Sequence, residues 1–470
     1  MSIQIVRRLC ACSLWLAAFS GPVFAAEPSA LSFSTNDRVL VLAPHPDDEV
    51  IACGGVIQRA LAAHIPVRVV FLTYGDNNQW SFAVYRDHPV LEPSAVRQMG
   101  LIRHDEAVAA DQLLGLSPDH LFFLGYPDFG TLHIWQEHWG TPPPFRSMLT
   151  RVTQVPYSNA FRFGAAYTGD NILNDLKSII SEFHPTQIFL SHPADHNPDH
   201  RSLYLFTRVA LWDLQLQPEI ELIPYLVHYK TWPRPRAYEP SAALTPAFNL
   251  DATGGWEVLP LNSNEVATKE AALRQHKTQY GYAATYLESF VRRNELFGDY
   301  PPVLIQDNGP AGKAELIETA QDVELSEELT DEEKASFVGI ETRHVWREGD
   351  ILVMELNFSR SWLPGVVAQI EFFGYRTGQP FSSMPKLMVR IGEFGHRVYD
   401  QQRLLLESGV QVSGPSRQLQ IRIPLGDLGQ PDRILTSGRT TMVDVPLDWV
   451  SWRILEIAPS VKPAATPSPF

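Results

Sequence analysis

Short, largely apolar runs at residues 38–43, 67–73, 121–124 and 187–191 recur through the first 300 residues. The stretches between them, 49–63, 94–114 and 170–183, carry apolar positions at helical spacing. Runs without a polar alternate belong to strands buried on both faces. The strand–helix–strand–helix order therefore predicts an α/β, Rossmann-like architecture: a mostly parallel sheet with helices on both faces. Such sheets bind ligands beyond the carboxyl ends of their strands. A further helix is read at 264–280, with Ser263 as its cap. At 470 residues the chain exceeds one ordinary domain.

The texture changes near residue 336. Leu352, Met354, Leu356 and Phe358 alternate with polar or smaller neighbours, as do Leu419, Ile421 and Ile423, with turn signals at 347–350 and 429–432. Period two of this kind predicts an all-β sandwich over 336–460. It follows an α/β unit at 32–305 and an acidic linker at 306–335 that contains "ELSEELTDEE". Residues 461–470 read as a disordered tail. Trp346, Trp362, Trp449 and Trp452 are candidates for a sugar-stacking platform in the sandwich, although tryptophan is more often core.

The N-terminus has Arg7 and Arg8, an apolar stretch around 14–19, a Gly21-Pro22 break and small residues at Ala25 and Ala26. This is the pattern of a signal peptide over 1–25, and its apolar stretch is shorter than the ~20 residues of a spanning helix. The expectation is an exported protein, periplasmic or secreted, with no transmembrane segment after cleavage. Cleavage would remove Cys10 and Cys12 and leave Cys53 alone, so no intrachain disulfide is expected. The small apolar setting of Cys53 points to packing. A formal charge of −15 argues against nucleic acid as a partner, since phosphate binding needs a basic surface.

The first apolar run ends in "PHPDDE", residues 44–49. His45 and Asp48, three residues apart on a turn leaving a strand, can face one centre. Imidazole and carboxylate suit Zn²⁺, with Fe²⁺ or Mn²⁺ as further possibilities. A catalytic zinc site needs a third protein ligand, and "SHPADHNPDHR" at 191–201, after another apolar run, offers His192, Asp195, His196, Asp199 and His200. Asp47 taken alone would be a helix cap. No G-x-G-x-x-G follows the first run, which speaks against a dinucleotide site.

Taken in order, "PHPDDE", "RHDEAVAADQLLGL", "LGYPD", "NPDHR" and "KEAALRQHKTQY" resemble the PIG-L/LmbE-type zinc-dependent N-deacetylases, over roughly residues 37–300. The resemblance implies zinc held by His45, Asp48 and His200, with Asp47 as general base and Arg103 and Asp128 as substrate-binding groups. It also implies an N-acetylglucosamine-type substrate carried on a glycan, glycolipid or polysaccharide. Where several members of that family have a histidine three residues before the last ligand, this chain has Asn197. Asparagine can donate a hydrogen bond to a developing oxyanion but cannot deliver a proton, so His196 and Asn197 share the candidacy for that role. The segments "IRIPLGDLG" and "VPLDWVSWRIL" loosely resemble carbohydrate-binding sandwiches of secreted enzymes. A non-catalytic glycan-binding protein with a residual metal site is the alternative reading.

Overall fold

The computed structural model describes residues 29–316 and 330–459, apart from 78–91, 217–218, 231, 248–249, 251–254, 415–416 and 443–444. The leader expected at 1–25, the tail at 461–470 and residues 317–329 of the acidic stretch lie outside the described residues.

Eight strands form the first sheet: β1 (Ser29–Ala30), β2 (Val39–Ala43), β3 (Val67–Thr73), β4 (Leu121–Tyr126), β5 (Gln187–Ser191), β6 (Glu221–Tyr225), β7 (Trp256–Pro260) and β8 (Asn294–Gly298). Their order is β1-β7-β8-β6-β5-β2-β3-β4. The run from β6 to β4 is parallel throughout, while β8 lies antiparallel to both neighbours. Among the described residues, seven helices accompany it: α1 (Asp48–Ala62), α2 (Pro93–Leu114), α3 (Thr131–Glu137), α4 (Gly169–Phe183), α5 (Pro198–Asp213), α6 (Ser263–Leu273) and α7 (Lys277–Glu288). The chain moves outward from β2 through β3 and β4, then restarts on the other side at β5. That reversal opens a crevice beyond the carboxyl ends of β2 and β5.

Strand β2 shows why its sequence is apolar at every position. Val39, Val41 and Ala43 enter one core with α1, α2 and α6, and Leu40 and Leu42 enter the opposite core with α3, α4 and α5. Helix α1 lies close against its neighbours because of glycine: a Cβ on Gly55 would come within 2.3 Å of Leu261 Cδ2. Glu295 on β8 accepts from the backbone N–H groups of Gly55 and Val56 at 2.7 and 2.9 Å, and Lys269 Nζ donates to it at 2.6 Å. Lys269 and Glu295 are each 1% exposed. Lys269→Met leaves that carboxylate without its cation and is expected to cost ~3–5 kcal/mol, measured as a lower urea midpoint at unchanged slope.

The helix read at 264–280 is two helices, α6 and α7, and its cap is Asn262 instead of Ser263. Asn262 Oδ1 accepts from the N–H of Asn264 and Glu265 at 2.9 and 3.0 Å, and the Glu265 carboxylate accepts from Asn262 N at 2.8 Å. Asparagine followed three residues later by glutamate makes this reciprocal box, which Ser263 with Val266 does not offer.

The β unit pairs a five-stranded sheet with a seven-stranded one. Val303–Ile305, at the end of the expected α/β unit, and Ala314–Leu316, within the stretch expected to be linker, are strands of these two sheets. Towards its centre the seven-stranded sheet buries side chains on both faces. Ile370, Phe372, Ile434, Val450 and Leu455 face the sandwich interior, while Phe373, Tyr375, Leu435, Trp452 and Ile454 join the core of α3, α4 and α5. The two units thus share one apolar core. Trp135 on α3 lies 5.2 Å from Phe381 and 6.2 Å from Trp452, between ring centroids. Among the four candidate tryptophans, Trp346 and Trp452 are buried, and Trp362 is half-buried with its indole N–H bonded to Val366 O at 2.8 Å. Trp449 is half-buried and stacks on Arg201.

Candidate active site

Four strand ends deliver the site. The turn after β2 carries His45, the first turn of α1 carries Asp48, and the loop after β5 leads into α5, whose first turn carries His200. His228 follows β6, and Asp128 follows β4. Both α1 and α5 direct their N-termini here, and the positive end of a helix dipole favours carboxylates such as Asp48 and Asp199 in the first turn.

Among the described residues, His45, Asp48, His200 and His228 each offer one ligand atom, all within 4.8 Å of one another. Asp48 Oδ2 lies 3.2 Å from His45 Nδ1 and 3.0 Å from His200 Nε2. The His200 ring is 4.8 Å from that of His228, edge to face. His45, Asp128 and Asp199 form a second group of three. Its chemistry differs: Asp199 already accepts from Phe129 N, Thr131 N and Thr131 Oγ1, and with Asp128 it faces His45 Nε2 at 3.2 Å. These carboxylates hold the His45 ring so that Nδ1 turns to Asp48. In the first group, Asp48 Oδ1 and His200 Nε2 are buried and make no hydrogen bond within the protein. Buried polar atoms without partners are costly, and here they belong to the same carboxylate and imidazole that meet His45 Nδ1 through Asp48 Oδ2. One carboxylate with two or three imidazoles is a zinc donor set, and zinc fits these residues.

Asp195 supports the third ligand. Its Oδ2 lies 3.2 Å from His200 Nδ1 and accepts from Val227 N and His228 N at 3.0 and 2.9 Å, and its Oδ1 accepts from Asn197 N at 2.9 Å. One buried carboxylate thereby ties the α5 entry loop to the end of β6. Against the cost of burial, His200 and His45 pull the Asp48 carboxyl well below its ordinary range.

Asp47 stands beside this group on the wall of a cleft of about 720 Å³. Its φ of 128° lies in a region that L residues rarely adopt, a conformation that stores roughly 1–3 kcal/mol. The strained turn is held from both sides. Glu49 accepts from Asp47 N at 2.9 Å, and Arg103 donates to Pro46 O at 2.7 Å and to Asp47 Oδ2 at 3.3 Å. Burial pushes the Asp47 carboxyl up to about 7; Arg103 opposes the rise and Asp48 adds to it. Arg103, expected to bind substrate, is only 3% exposed and binds Gly75 O as well. Asp128, with the same expectation, sits on His45.

Asn197 uses its side-chain oxygen to cap α5, accepting from Asp199 N at 2.8 Å. His196 lines the cleft farther out, its ring 5.2 Å from Tyr229 and 5.4 Å from Trp449. Sequence reasoning did not single out His228. Its signal was the one that found the other clusters, a polar residue just past an apolar run, here "LIPYLVHYK". Tyr229, Lys230, Arg236, Tyr282 and Tyr286 line the outer cleft, whose size suits a sugar-sized ligand.

Residues 40–211 match the family model PIG-L, described as GlcNAc-PI de-N-acetylase. The metal-ligand set and this match together point to the class of zinc-dependent N-deacetylases. The 1D-myo-inositol 2-acetamido-2-deoxy-alpha-D-glucopyranoside deacetylase of Corynebacterium glutamicum strain R is 24% identical over 252 residues, which is 52% of this chain and 74% of the relative. Among solved structures, the N,N'-diacetylchitobiose deacetylase from Pyrococcus horikoshii aligns with a TM-score of 0.32 at 18% identity, over 53% of this chain and 75% of that one. The A40926 pseudoaglycone deacetylase aligns with a TM-score of 0.34 at 18% identity, over 53% and 84%. Likeness at this level has no bearing on activity.

Proposed function

We propose that this protein removes the acetyl group from an N-acetylglucosamine-type unit of a glycan, glycolipid or glycoconjugate, with Asp47 as general base, and that it works outside the cytoplasm. The observation that carries the chemistry is Asp47 itself, a carboxylate with its proton affinity raised to about 7, held in a strained turn one residue from the ligand Asp48 and open to the cleft. The leader pattern at 1–25 supports export, and a mature N-terminus at Ala26 in a periplasmic or culture fraction would check it.

Zinc held by His45, Asp48 and His200 supplies a Lewis acid that acidifies water and polarises an amide carbonyl. Asp47 takes the proton as water adds to the amide carbon and returns it when the C–N bond breaks, giving acetate and the free amine. Such a base works best with a pKa near the working pH, and burial brings Asp47 there. The oxyanion needs a donor aimed at it from the metal's side. Burial lowers His228 to about 4, so it is a neutral imidazole able to donate one N–H, and it lies among the metal-ligating atoms. His196 and Asn197 stand farther along the cleft wall, where they are placed to hold the sugar. His228→Gln is expected to lower kcat about a hundredfold with zinc content unchanged; full activity in that variant would return the donor role to His196 or Asn197.

A panel of N-acetylglucosamine monomers, oligomers and inositol glycosides, assayed for acetate with the zinc-loaded protein, tests the substrate class. Turnover of at least one member is expected. Silence across the panel, with glycan binding retained, would favour the non-catalytic reading.

A further inference from the structure

The sandwich reaches the active-site loop directly. Trp449 places its indole under the Arg201 guanidinium at 4.0 Å and sets an edge against His196, 5.4 Å between ring centroids. Arg201 in turn donates to His196 O at 3.4 Å. These two residues bracket the turn that presents His200. A second route runs through α3, whose Gln136 donates to Glu371 and whose neighbour Trp139 exchanges backbone hydrogen bonds with the Gln401 side chain, both partners being on the sandwich. The start of α3 supplies the N–H and hydroxyl of Thr131 to Asp199, which orients His45.

We propose that the sandwich is part of the catalytic unit and that Trp449 is a positioning residue for deacetylation, fixing the turn at 196–201 through Arg201 and His196. The inference rests on the deacetylase reading for its kinetic half. A stacked guanidinium and an edge-packed imidazole are contacts that a rigid indole holds and a methyl group does not. The role differs from a glycan platform, since one indole face is already covered by Arg201.

The test uses the full zinc-loaded chain carrying Trp449→Ala, Trp449→Phe or Arg201→Gln, with a small soluble N-acetylated sugar as substrate. Misplacing a catalytic loop by a fraction of an ångström is expected to lower kcat about tenfold in Trp449→Ala, with KM within about twofold. Trp449→Phe should recover most of the loss. Arg201→Gln, which breaks the stacked contact and leaves His196 against the indole edge, should lose less than Trp449→Ala, and the double variant should lose less than the product of the two single effects, because the stacked contact is common to both. Hydrogen–deuterium exchange gives the structural half independently of activity: faster exchange confined to residues 192–203 is expected in Trp449→Ala. Unchanged exchange there overturns the proposal whatever the kinetics. Loss of polymer binding with normal turnover of the small sugar overturns it too, in favour of a platform. Faster exchange in the variant alongside a wild type silent across the whole sugar panel upholds the positioning contact and overturns the deacetylase reading.

Discussion

Asp47→Asn is expected to lower kcat about a thousandfold while the protein keeps its zinc. Asparagine is nearly isosteric and can still accept from Arg103, so the strained turn at φ 128° and the neighbouring ligands have little reason to move. What disappears is the proton acceptor. The pH profile gives a second check on the same residue. A general base must be unprotonated to act, so wild-type kcat/KM should fall as pH drops through the acid limb set by Asp47. The residual rate of the variant should lack that limb. A variant with wild-type rate would mean that proton transfer runs through another group, and Asp47 would be left as the partner of Arg103 in the strained turn.

The second large effect concerns the metal. His200→Ala removes an imidazole that sits between Asp48 and Asp195, and the remaining donors form an incomplete set. Zinc per chain, read by elemental analysis after dialysis, should fall towards zero, and activity with it. Asp195→Asn keeps every ligand and alters only the partner of His200 Nδ1. Loss of such an outer partner typically weakens metal binding by about 10–100-fold. The comparison separates ligand from support: full zinc at saturating metal is expected in Asp195→Asn and not in His200→Ala. Equal zinc in His200→Ala and wild type would move the site to the His45, Asp128 and Asp199 group.

Much of this site is legible in the sequence because a parallel sheet converts order along the chain into position in space. Once residues 39–43 and 187–191 are read as buried strands, whatever polar residues follow them must lie at one crevice, and His45, Asp48 and His200 do meet there. The same logic reaches His228 only if 221–225 is read as a strand, and that run contains Pro224, which weakens the strand signal. Arg103 and Asp128 were legible as site residues, but their partners were not, because side-chain direction depends on packing that no spacing encodes. Arg103 turns inward to Pro46 O and Gly75 O, and Asp128 turns to His45. The sandwich was recognisable from its period of two. Its docking was written in apolar doublets, Phe372-Phe373, Ile434-Leu435 and Ile454-Leu455, whose members face different cores. A sheet that was wet on one side would not need them.

Zinc-dependent deacetylation is tested by a zinc titration of the metal-stripped protein, with acetate release from an N-acetylglucosamine-type substrate followed at each addition. No release is expected from the stripped chain, and activity should rise linearly to a plateau at about one zinc per chain, the stoichiometry of a single three-ligand site. Equal release with and without zinc, or full zinc binding with no release from any N-acetylated sugar, would contradict it.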